Sequence, residues 1–203
     1  MMKKFISILF ILMFSSFCFP ARNFSTLIKD LRKSGVDTII SLKIEEGGLW
    51  GAEKLENDTC SPFGYYHGLY INHYVVWKIN GKCYFTKIHP CINYSHIMLD
   101  CLPLFSFIEK NISELRKEFI YPENYGTDIR TFYEDRITRN INIYIKNKVL
   151  HFNFDQADID KKNNPNFYKY NLQLKQLKFS KLFIEELKTV NIGNEHKGGL
   201  SLW

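Results

Sequence analysis

Eight side chains able to bind a metal or carry a proton fall between positions 60 and 101: Cys60, His67, His73, Cys83, His89, Cys91, His96 and Cys101. Zinc sites close on two tight ligand pairs, because near neighbours in sequence can reach one tetrahedral ion. Here the tightest pair is His89-Pro90-Cys91, and no second pair of that kind follows. The spacing therefore argues for no metal and no cofactor. An even number of cysteines beyond an export leader argues instead for two disulfides drawn from Cys60, Cys83, Cys91 and Cys101. Three pairings are possible, and the favoured one is Cys60–Cys83 with Cys91–Cys101, because Cys83 sits in a strand and Pro90 bends the chain before Cys91.

Other chemistry has thinner support. A nucleophilic cysteine needs a free thiol, and paired cysteines leave none. GxSxG, HExxH, a P-loop and a dinucleotide fingerprint are all absent. Asp155, Asp158 and Asp160 resemble the start of a calcium loop, but the Gly at position six and the closing Glu at position twelve are missing. Glu45, Glu46, Glu53 and Glu56 offer carboxylates with nothing to fix their geometry. His67 and His89 are the acid–base candidates of a hydrolase reading, since imidazole titrates near neutrality. Trp50, Tyr65 and Tyr66 stand among glycines, in loops able to form a platform for a sugar or peptide.

The address comes from the first residues. Met1-Met2-Lys3-Lys4 precedes an apolar run from Phe5 to Phe14, then Ser15, Ser16 and Phe19-Pro20-Ala21. That order is a secretory signal peptide over residues 1–21, of bacterial appearance, and the run is short of a membrane span. Phe17 and Ser15 occupy the places before Cys18 where a lipidation signal wants small and leucine residues. The chain is thus expected to be exported, to the periplasm, the cell surface or the medium. Residues 22–193 read as one domain and 194–203 as a tail.

Charge is uneven within a formal +6. Glu45 to Asp135 holds 13 acids against 8 bases, while Arg139 to Thr189 holds 10 bases against 5 acids. The bases are scattered and no nucleic-acid motif accompanies them, which sets nucleic acid aside as a partner.

The elements that would hold these groups follow from periodicity. Thr26–Ser34 reads as a short helix and Asp37–Ile44 as a strand. Asn80-Gly81 between two β-rich runs marks a hairpin, and a second is centred on Asn147-Lys148. Pro103 opens a helix of about sixteen residues whose apolar stripe runs Leu104, Ile108, Ile112, Leu115 and Phe119. Tyr168 to Leu174 alternates like a strand, and Ser180 is placed to cap a last helix through Thr189. Strands arriving as hairpins predict an α+β domain: an antiparallel sheet of five or six strands with helices packed on one face. The functional expectation is an exported non-enzymatic domain that binds a protein, a peptide or a cell-envelope component such as glycan, through aromatic loops or an open sheet face. The alternatives are a small extracytoplasmic hydrolase using the carboxylates and histidines of the 45–96 region, and a metal-binding envelope protein.

Overall fold

A computed structural model describes residues 24–47, 69–88, 96–123, 125–126 and 137–190. The leader, Cys18, Trp50, Cys60, Tyr65, Tyr66, His67, His89, Cys91 and the tail lie outside these residues. The chain begins with α1 (Phe24–Lys33), β1 (Thr38–Gly47) and the hairpin β2 (Leu69–Ile79) and β3 (Lys82–Ile88). A short β4 (Ile97–Leu99) leads into α2 (Leu102–Lys117), and a second hairpin pairs β5 (Ile137–Ile145) with β6 (Lys148–Asp155). A 3-10 turn (Ala157–Ile159), α3 (Tyr168–Gln173) and α4 (Lys175–Thr189) complete it.

The strands form one six-stranded sheet in the order β4-β3-β2-β1-β5-β6, antiparallel throughout. This is the predicted α+β architecture. Both hairpins set the register. Asn80 and Gly81 have φ of 51° and 73°, the left-handed pair that a tight hairpin turn demands. In the second hairpin the turn sits one residue earlier than expected, at Lys146-Asn147, with Lys146 at φ 50° and Ile145 facing Lys148.

Alternation divides the sheet into two faces. Ile40, Leu42, Ile44, Tyr74, Val76, Phe85, Ile141, Ile143 and Phe152 are buried on one face beneath α2 and α4. Ile39, Val75 and Trp77 face the other way and bury Leu27, Ile28 and Leu31 of α1. The expected helical layer is thus present, and α1 adds a second layer over the β1–β2–β3 half of the opposite face.

Cys83 and Cys101 form a disulfide, with their Cα atoms 5.7 Å apart. The favoured Cys60–Cys83 and Cys91–Cys101 pairing is therefore corrected. The reason is β4, which the sequence reading did not find. It returns along β3 with Leu99 opposite Cys83, and two residues later Cys101 arrives beside Cys83 at the start of α2.

Two further expectations are overturned in the C-terminal third. Tyr168–Leu174 is not a strand, because its letters also fit a helix. Phe167, Tyr170, Asn171 and Leu174 recur at three and four residues, and Asn171 and Leu174 are the buried members. Nor does Ser180 cap α4: it is buried within the helix, which starts at Lys175. The cap comes from another element. Glu118, at the end of α2, accepts the backbone N–H groups of Lys175 at 2.8 Å and Gln176 at 2.9 Å. The Gln176 amide in turn donates to the carbonyls of Leu115 and Glu118. Each helix end thus satisfies groups that the other leaves without intrahelical partners.

Replacing Glu118 by Ala is expected to lower unfolding stability by ~1–2 kcal/mol, the usual loss for an N-cap side chain. Replacing both Cys83 and Cys101 by Ala is expected to cost ~3 kcal/mol, from opening a loop that spans 18 residues. Urea denaturation of the oxidised protein measures both, and an unchanged midpoint in either variant would remove the corresponding role.

Candidate binding surfaces

The sheet has two ends. The tight turns at Asn80-Gly81 and Lys146-Asn147 lie at one of them. At the other, the chain leaves β1 at Gly47, enters β2 at Leu69, leaves β3 at Ile88 and ends β6 at Asp155.

The described residues build an aromatic cluster at the same end. Phe119, Tyr121 and Tyr125 follow α2, and Phe167 and Tyr170 come from the start of α3. Tyr121 is the hub. Its ring stacks on Phe167 with centroids 4.6 Å apart and planes 16° apart. The rings of Phe119, Tyr125 and Tyr170 meet it edge-on or tilted at 5.1, 4.7 and 5.3 Å. Tyr125 also sits edge-on to Phe167 at 5.7 Å. These are favourable quadrupole arrangements, worth ~0.5–1.5 kcal/mol per pair. Packing does not hide the outer rings: Phe119 is 53%, Tyr125 50% and Tyr170 46% exposed.

Phe119 was expected on the core stripe of α2. The helix ends at Lys117, and Glu118 takes extended backbone angles, so the next side chain turns outward. Two buried asparagines then fix the hub. Asn171, fully buried, accepts the Tyr121 N–H at 3.1 Å and donates to the Tyr121 carbonyl at 2.8 Å. Asn164, also buried, donates to the same carbonyl at 3.0 Å. Both amides also reach the Asp158 carbonyl. The Asp158 carboxylate accepts the N–H groups of Glu123 and Asp155. Asp160 accepts from the Lys162 N–H and the Asn163 amide. Asp158 and Asp160 thus order the turns beneath the aromatic cluster.

A second surface lies on the half of the sheet that α1 leaves uncovered. Ser41, Lys43 and Glu45 of β1, Asn140, Asn142 and Tyr144 of β5, and His151 of β6 share this face by register. Asn140 donates to Glu45 at 2.8 Å, and Lys43 pairs with the same carboxylate. Asn142 donates to the Ser41 hydroxyl, and its carbonyl oxygen lies 2.8 Å from Nδ1 of His151. Glu45, one of the sequence-level carboxylate candidates, is therefore held within a sheet-face network.

His73 borders this face. Its ring packs 4.9 Å from Phe24, at the start of α1. Burial, with Lys43 nearby, lowers its pKa from 6.5 to about 4, while Glu45 opposes the shift. It is neutral at physiological pH. His96, another sequence-level candidate, stands edge-on to Trp77 at 4.9 Å. Among the described residues no group of three or more His, Cys, Asp or Glu could hold a metal ion. No described helix is long and apolar enough to cross a membrane. The spacing of Phe119, Tyr121 and Tyr125 was visible in the sequence, but their convergence with Phe167 and Tyr170 depends on α3 being a helix.

No family model, curated protein or solved structure matches the chain.

Because the native state binds neutral His73, the unfolded chain takes up its proton first as pH falls. Stability is expected to drop on the order of 1–2 kcal/mol between pH 6.5 and 4 from this group, after allowance for the solvent that reaches it. His73→Phe should flatten that part of the stability–pH curve relative to the unsubstituted protein, whereas parallel curves would show that His73 does not contribute.

Proposed function

We propose that the protein is an exported, non-enzymatic binding domain whose aromatic end takes an extended peptide segment of a partner protein. The observation that carries this reading is the ring cluster itself. Three large aromatic side chains stay about half exposed while locked against a hub that two buried asparagines hold from below. Exposed apolar rings that serve only stability would gain more from burial. A fixed set leaves little side-chain entropy to lose on binding.

The edge-on geometry favours a peptide. Rings meeting at 62° to 86° present edges and faces side by side. Such a surface suits proline rings or aliphatic side chains of an extended chain, and a tyrosine hydroxyl can donate to its carbonyls. Export is supported by the leader-like start of the sequence and by the Cys83–Cys101 disulfide, which suits an oxidising compartment.

Panning a displayed peptide library of random segments against the immobilised protein tests this. Enriched peptides are expected to contain proline or aliphatic residues. Their binding should weaken at least ~10-fold in a Tyr125→Ser/Tyr170→Ser variant, the loss of one or more interface anchors. The variant loses four ring contacts, so its thermal midpoint should fall, and circular dichroism at the binding temperature checks that it stays folded. Failure to enrich any peptide, or equal binding to the variant, would refute the reading.

A further inference from the structure

Between α1 and β5 runs an open groove of about 560 Å³, from Phe24, beside His73, to Lys33, toward the tight-turn end of the sheet. Phe24, Ile28 and Tyr144 supply apolar surface, and Lys29, Arg32 and Lys33 line it without a carboxylate among the lining residues. The arginine is held in place. Its guanidinium lies 5.1 Å from the centre of the Tyr144 ring, and Tyr144 hydrogen-bonds Ser41 on the neighbouring strand.

The surroundings extend the positive charge. The β5–β6 turn presents exposed Lys146 and Lys148, and the Lys146 N–H donates to the Asp37 carbonyl at 2.9 Å, tying the turn to the foot of β1. Val149, 52% exposed, pairs across from Tyr144. Among the described residues, the nearby acids are Asp37, exposed, and Asp30, partly buried on α1, against the five cations named.

We infer that this end of the domain docks on a bilayer containing anionic phospholipid, with a headgroup seated in the groove. Two features favour a bilayer over a free small anion. The groove is open to solvent, so it suits a ligand presented from a surface. The cations outside the groove stand on a hairpin tip and a helix end, where they would meet an extended anionic plane together. Such docking would leave the aromatic end facing away from the membrane, and it does not depend on what that end binds.

Vesicle co-sedimentation of the purified protein is the test. The vesicles would be phosphatidylcholine alone, or phosphatidylcholine with about 30% phosphatidylglycerol, at low and high salt. Binding is expected to favour the anionic vesicles by at least ~10-fold and to fall as salt rises. Arg32→Gln/Lys33→Gln and Lys146→Gln/Lys148→Gln should each weaken it by roughly 30-fold, since two surface cations are removed in each. These side chains are exposed, so circular dichroism should show both variants folded. Equal partitioning onto both vesicle types, or anionic binding retained in both variants, would overturn the inference. So would a response to glycerol phosphate or to an acidic polysaccharide without vesicle binding, which would assign the groove to a soluble anion or a glycan.

Discussion

The reciprocal contact between Glu118 and the start of α4 controls the layout of the helical layer. The Glu118 carboxylate takes two N–H groups of α4, and the Gln176 amide returns two hydrogen bonds to the end of α2. Helix ends leave donors and acceptors without intrahelical partners, and burying them unsatisfied is costly. Here one carboxylate and one amide answer both ends at once. The contact fixes where α2 stops, where α4 starts and how the two lie together on the sheet. It also takes Glu118 out of helical geometry, which sends Phe119 to the surface and leads Tyr121 to its clamp. The aromatic end is therefore a consequence of how two helices are joined.

The two ends of the sheet differ because their connections differ. Tight turns leave no room for elaboration at one end, and the charges there belong to turn and helix-end residues such as Lys146, Lys148 and Arg32. The other end carries the aromatic cluster. Between them the uncovered sheet face is a chain of amides, hydroxyls and charges already paired with one another, through Asn140, Asn142, Ser41 and Glu45. Paired groups of this kind have less to offer a ligand than half-exposed rings or solvated cations, because their bonds must be exchanged on binding.

Much of the fold was legible where a local rule had one solution. Asn80-Gly81 named its hairpin because both positions require positive φ. Pro103 and the Leu104–Ile108–Leu115 stripe named α2, and the alternation of Ile40, Leu42 and Ile44 named the buried face of β1. Reading failed where one string suits two periods, as in Tyr168–Leu174, or where a partner lies far along the chain. Ser180 looked like a cap because serine usually is one. The true cap, Glu118, lies 57 residues from Lys175 and gives no local sign. Cys101 could not be matched to Cys83 without β4, which at three residues is too short for alternation to mark it. Of the candidate residues, His67, His89, Trp50, Tyr65 and Tyr66 fall on connections outside the described residues, while the aromatic surface arose from Phe119 and from helix α3.

The sequence by itself determined the antiparallel, hairpin-built α+β plan, because backbone turn geometry and side-chain alternation act over a few residues. Tertiary structure alone decided the disulfide partner, the start of α4 and the meeting of four rings around Tyr121. These depend on hydrogen bonds and contacts between segments dozens of residues apart. Such pairs form only when the sheet has brought the segments together, so no short window of sequence contains both partners.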